Sequence, residues 1–328
     1  GNYKNGKQDG LYEGYHENGQ LISRTNFKDG VPDGLLEMFY DNGQLETKVN
    51  FKNGTQDGLY EGYYENGQLG QKTNWKNGKK TGPFEFYHEN GQLWKNGNSI
   101  NGKTEGLYEV YNEDGQLNLR GNYKNGKKDG LYENYSYGLL KERENYKDGE
   151  LNGLYEKFYS RSSQLELRQN YKNGKKNGLQ ELFHRNGKLK EKRNYKNNKL
   201  DGLTELYNEN LPFTEKINYK NGKKHGLYES YYENGQLWTR ENYKNGKQEG
   251  LYEVFKENGK LNYKTTYKNG KKEGLLVFYH ENGQLSSRRN YKNGKMEGFF
   301  DFFNEDGSLR YRDCYKNNER TYMSDCQD

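Results

Sequence analysis

The sequence predicts an all-β chain, an elongated twisted antiparallel meander in which about 13 hairpins of 24 residues form a β-hairpin repeat solenoid. Three observations carry this. A Gly followed by an apolar residue recurs at Gly10, Gly34, Gly58, Gly82, Gly106, Gly130, Gly153, Gly178, Gly202, Gly226, Gly250, Gly274 and Gly298, and the one step of 23 is corrected by a step of 25. Each period holds two Asn-Gly or equivalent dipeptides about twelve residues apart, the strongest short-range hairpin signal. The apolar residues are mostly 33 Leu, 33 Tyr and 14 Phe, with no Ala, a composition that suits pleated sheets and disfavours helices.

Each period reads approximately Gly-Leu-Tyr-Glu-x-Tyr-x-Glu-Asn-Gly-Gln-Leu-x-x-Lys-x-Asn-Tyr-Lys-Asn-Gly-Lys-Lys-Asp. One period is one hairpin, so about 26 strands follow one another, advancing roughly 10 Å per repeat into a ribbon on the order of 120 Å long. Five positions after each repeat Gly stands an aromatic spine: Tyr15, Phe39, Tyr63, Tyr87, Tyr111, Tyr135, Phe158, Phe183, Tyr207, Tyr231, Phe255, Tyr279 and Phe303. Three positions after the Gly, twelve of thirteen residues are acidic, Val277 being the exception; fourteen after it, with the two shifted repeats aligned on Leu140 and Leu165, twelve of thirteen are basic, Asn96 being the exception.

If Asn18-Gly19 closes a two-residue type I′ loop, Glu13 falls opposite Arg24 and opposite charges lock the register of every hairpin. A three-residue loop with a G1 bulge instead sets Tyr15 opposite Leu21 and moves Arg24 to the other face. The charge pairing favours the first geometry.

Leu, Ile, Val and Phe number 55 of 328 residues, a fraction low enough to suggest disorder, but the net charge of +6 is small and the 50 aromatics supply surface to bury. No run of ten apolar residues exists, so no transmembrane helix is expected, and Gly1 opens no signal peptide. The chain starts in mid-pattern, which suggests further sequence upstream. Cys314 and Cys326 either join in one terminal disulfide or stay reduced, and the reading leans only slightly to a cytoplasmic place over a secreted or virion-associated one.

The tandem segments YKNGKKDGLYENY (123–135) and YKNGKKHGLYESYYENGQL (219–237) resemble the bacterial variant of the MORN repeat, as in the YwqK-type antitoxin family. The resemblance covers residues 1–313, leaving 314–328 as a C-terminal capping segment. It implies a β-hairpin solenoid and brings no catalytic residues, since such repeats are scaffolds in proteins of many roles. The pattern departs from itself between about 136 and 165, where YSYGLL and YSRSSQL replace the usual turn, and again in NENLPF (208–213). Tyr137, Leu139, Arg161, Leu211 and Phe213 at these departures are the candidate partner contacts.

No catalytic, metal or cofactor site is expected. His16, His88, His184 and His280 occupy one column three or four repeats apart, too far to share a metal, and read as a solvated face. Twelve equivalent charge pairs describe a structural device rather than a catalytic one. Lysines at the Lys-Asn-Gly-Lys turns form a basic row from Lys4 and Lys28 to Lys292, but the near balance of charge argues against nucleic acid or a membrane surface. The expected role is a non-enzymatic scaffold binding a protein partner or another copy of itself, the alternative being an antitoxin or immunity-like protein.

Overall fold

A computed structural model describes residues 1–209 and 211–326, the side chains of 211–213 excepted. The chain divides into two compact units, Gly1–Ser163 and Gln164–Asp328. The first opens with a small hairpin, Tyr3–Lys4 against Lys7–Gln8, and continues as an antiparallel meander from Gly10–Tyr15 to Gly153–Phe158. The second runs from Leu165–Lys172 to Glu319–Thr321 and ends in a short 3₁₀ turn, Met323–Cys326. Among the described residues each strand pairs with its neighbours in the chain and no pairing closes a barrel, so the all-β hairpin meander is an open one. Five strands are split at bulges and one further strand stands at each end, which raises the number among the described residues from the expected 26 to 33.

The two kinds of turn differ, which corrects the expectation of one type I′ geometry throughout. At Lys76-Asn77-Gly78-Lys79, φ is +48° at Asn77 and +73° at Gly78 with Lys76 opposite Lys79, a two-residue type I′ loop. At Glu17-Asn18-Gly19-Gln20 only Gly19 has positive φ (+85°), and the His16 N–H donates to Gln20 O at 2.8 Å while the Gly19 N–H donates to His16 O at 2.9 Å. This is a three-residue loop. Asn18 stays right-handed because its Oδ1 accepts the Gln20 N–H at 3.0 Å, a bond repeated at Asn42 and Asn66.

Tyr15 therefore lies opposite Leu21, as the bulged alternative requires, yet Glu13 still faces Arg24. A second bulge at Ile22 reconciles them, since Tyr15 pairs with Leu21 but Gly14 with Ser23. The second bulge restores the register of the charge pair that the turn alone would have lost.

A larger bulge sits at each repeat Gly. Val49 pairs with Tyr60 and Phe51 with Gln56, so Asn50 alone faces Asp57, Gly58 and Leu59. Gly58 has φ +120°, where a side chain is strained. The Asn50 amide donates to Leu59 O at 3.3 Å, and the same bond joins Asn145 to Leu154 (2.7 Å) and Asn194 to Leu203 (2.8 Å). The Asn column thus ties the bulge shut.

Alternation gives the sheet two unlike faces. Leu11, Glu13 and Tyr15 share the first with Asn26, Arg24 and Leu21; Tyr12 shares the second with Thr25, beside Phe27. Deep burial lies mostly on the second, at Val49, Tyr132, Ile217, Leu276, Phe300 and at small polar residues such as Thr73 and Thr265. In each unit the second face is therefore the better covered of the two. Edge-to-face rings line it, as in Tyr108–Tyr123 (5.6 Å), Tyr132–Tyr146 (5.9 Å) and Tyr252–Tyr267 (5.8 Å). Close approach demands small partners there: a Cβ on Gly121 would stand 2.2 Å from the Tyr132 ring.

Candidate interaction surface

On the first face the charges form not isolated pairs but an alternating row in each unit, broken at Asn96 in the first and at Val277 in the second. Arg24 lies opposite Glu13 on one side and Glu37 on the other; Arg143 meets Glu133 at 2.9 Å and Glu156 at 3.4 Å; Arg240 meets Glu229 at 3.0 Å and Glu253 at 3.9 Å. In the inner repeats the carboxylates are the more buried members and the arginines the half-exposed ones, as with Glu133 and Arg143. Each repeat is therefore joined to the next by the device that closes its own hairpin.

This changes what a charge swap should do. Exchanging Glu205 and Lys216 restores their mutual pair but sets a lysine opposite Lys192 and a glutamate opposite Glu229. The exchange should cost about 1 kcal/mol, no less than the single changes, rather than rescue them. A double-mutant cycle on thermal stability checks this.

The aromatic spine borders the row. Its members are half-buried, Tyr15 being the most open at 54% exposed, so the spine is an edge to the charges rather than the core. Tyr207→Ala should accordingly cost about 1–2 kcal/mol in a denaturation experiment, less than a fully buried ring would. The hydroxyls donate to the carboxylate two residues back, as in Tyr15–Glu13 (2.7 Å), Tyr87–Glu85 (2.7 Å), Tyr207–Glu205 (3.1 Å) and Tyr231–Glu229 (2.8 Å).

Partial burial, followed by these hydrogen bonds to an anion, pushes the phenols of Tyr87, Tyr207 and Tyr231 up to about 12 from 10.0. A pKa raised on folding contributes stability that is complete below the unfolded value and lost as pH rises through the folded one. Stability should hold to about pH 10 and fall between about 10 and 12, with tyrosinate absorbance rising in step with loss of sheet signal; ionisation of all tyrosines near pH 10 without unfolding would refute it.

Both turn edges stack from repeat to repeat. On one, Gly78 N–H donates to Gln56 O at 2.9 Å and Gly246 N–H to Lys224 O at 2.8 Å, while the residue before the repeat Gly, acidic in most repeats, accepts the next turn's Asn N–H, as Glu249 does from Asn269 at 2.7 Å. On the other, Tyr40 and Tyr64 hydroxyls donate to Tyr63 O and Tyr87 O at 2.6 and 2.7 Å. Histidines serve in the same column: His88 and His280 Nε2 lie 3.2 and 3.0 Å from Tyr111 O and Phe303 O and donate there, while His16 and His184 stand beside Asp41 and Glu209. The His column is a part-buried link between repeats, not the solvated face expected.

At the interrupted repeats, Tyr137-Gly138 forms a tight two-residue turn, with φ +51° at Tyr137, Ser136 opposite Leu139 and the Tyr137 side chain 91% exposed. Leu139 is half-buried in the following strand and Arg161 is exposed in the next turn on that edge. Leu211 begins a strand, but its side chain and that of Phe213 lie outside the described residues. Sequence reasoning missed an aromatic cleft of about 310 Å³ among Tyr60, Tyr64, Phe86 and Trp94, opened where Gly62 and Gly70 coincide in one repeat. The coincidence of two glycines on neighbouring strands was its only signal.

Tandem hairpins locked by stacked turns and a shared charge row define the chain as a β-hairpin repeat protein. The model of the MORN repeat variant matches nine segments, residues 8–29, 32–53, 56–77, 80–101, 104–125, 176–197, 224–245, 248–269 and 272–293, more than half the chain. The chain belongs to this family. No curated protein matches it. Among solved structures it is similar at 12% identity and a TM-score of 0.18 to TcdB2-TccC3, and at 13% and 0.18 to TcdB2-TccC3 without its hypervariable C-terminal region. Each likeness covers 94% of this chain, which spans about a fifth of the length of those proteins (19% and 18%).

Proposed function

We propose that this repeat protein is a non-enzymatic scaffold that binds a protein partner through the first face of its sheet. The supporting observation is the regularity of that face: half-exposed leucines at Leu11, Leu107, Leu227 and Leu251 flank the charge row on one side and the aromatic spine on the other, at a spacing held by hydrogen bonds at both turn edges. Tyrosine, leucine and partly shielded arginine in repeated array suit an extended interface. The row's carboxylates are engaged by arginines and phenols, as structural charge networks are, which supports the non-enzymatic reading.

The test is capture of partners from the native source at low and high salt, followed by deletion of two regular repeats from the purified complex. A scaffold should keep its partner at high salt and lose affinity gradually, by roughly tenfold or less. Abolition by substituting residues 136–140 and 160–164 with the repeat consensus, with deletions harmless, would instead favour the antitoxin-like reading. Its supporting observation is the projecting Tyr137.

A further inference from the structure

The net charge conceals a segregation that the hairpin topology creates. In the first unit, five successive turns on one edge, 17–20, 41–44, 65–68, 89–92 and 113–116, carry Glu17, Asp41, Glu65, Glu89, Glu113 and Asp114 and no lysine or arginine. All six side chains are exposed. In the second unit, six successive turns of the other kind each carry a cross-strand lysine pair, from Lys172 opposite Lys175 to Lys292 opposite Lys295. These twelve lysines are exposed, and none has an ion pair among the described residues.

Both rows have teeth spaced by one repeat, about 10 Å. Turn-to-turn bonds hold each spacing rigid: Asn42 and Asn66 amides reach Glu65 O and Glu89 O at 3.0 Å in the acidic row, and Gly222 and Gly270 N–H reach Leu200 O and Gln248 O at 2.7 and 2.9 Å in the basic one.

We infer that the chain self-associates side by side, the acidic turn edge of the first unit of one copy seating on the basic turn edge of the second unit of another. A basic row alone attracts any polyanion. A rigid acidic row of the same period on the same chain is what singles out a second copy, because tooth meets tooth along the whole contact only when the periods agree. The contact is heterologous, pairing unlike surfaces, so each pair of copies leaves one acidic and one basic edge unmatched for further copies. Being built from exposed charges, it is salt-labile. It uses the turn edges and not the sheet face, and so stands apart from the partner reading above.

The experiment is sedimentation of the full chain at about 100 μM in about 20 mM and about 0.5 M NaCl, a range over which screening length shortens several-fold. Wild type should exceed twice the monomer mass of 38.7 kDa in low salt and return to it in high salt. Two charge-reversed variants, both checked for native circular dichroism, test the geometry. One joins Glu17→Lys, Asp41→Lys, Glu65→Lys, Glu89→Lys and Glu113→Lys; the other joins Lys196→Glu, Lys220→Glu, Lys244→Glu, Lys268→Glu and Lys292→Glu. Each alone should be monomeric in low salt, and their mixture should associate. A monomeric wild type in low salt, even one that binds a polyanion such as heparin, overturns the inference, as does association of either variant alone.

Discussion

Replacing Asp301 by Ala should cost about 3 kcal/mol, the largest loss expected from any single change in the charge row. Its side chain is 1% exposed and accepts from Arg288 Nε at 2.6 Å and from Arg312 Nη2 at 3.1 Å. Burial alone would push its pKa up, but the hydrogen bonds from Arg312 and Arg288 outweigh it and hold the carboxyl below its ordinary 3.8. Half-exposed arginines lose little by turning to water, which keeps the cost near the low end for a broken buried pair. A depressed pKa contributes stability present above the unfolded value and lost as pH falls through the folded one, so the protection should fade below about pH 4. Hydrogen exchange over residues 285–316 reads the effect locally, which matters because a repeat array need not unfold in one step. Unchanged protection in Asp301→Ala would mean that the row is not what holds these repeats together.

Breaking the disulfide comes second. Cys314 and Cys326 are joined, which settles the alternative that sequence left open, and Cys314 is 1% exposed between Phe299 and Thr321 on the flanking strands. The bond closes a loop of separation 12, worth about 3 kcal/mol by chain entropy. Reduction, or Cys326→Ser, should release the turn Met323–Cys326 and the strand Glu319–Thr321 and speed hydrogen exchange of the last hairpin by about 100-fold. Exchange unaltered beyond about threefold would show that the cap is held by its strand bonds alone.

The architecture was legible because thirteen copies average away the accidents of any one: the glycine period, the turn dipeptides and the acid–base columns all point to the same hairpin. The register of Glu13 and Arg24 was legible from charge, whereas the turn that delivers it was not. Asn-Gly serves both a type I′ loop at Asn77-Gly78 and a bulged three-residue loop at Asn18-Gly19, and the difference rests on a side-chain bond that a dipeptide does not encode. Tyr137 stood out by breaking the pattern. The cleft beside Trp94 did not, since its residues come from separate strands.

What the amino-acid order determined by itself is the unit: its length, its two turns, which residues alternate to which face, and which charges oppose each other. Only the assembled sheet decided how the units act together. Stacking turned pairs into rows because each strand has two neighbours, and it placed most of the deep burial on the second face while leaving the first half open. It also gathered the acids of the first unit along one turn edge and the lysines of the second along its edge of the other kind, where the sum of charges alone shows neither. Composition records the sum of charges, but the field depends on where the fold puts them.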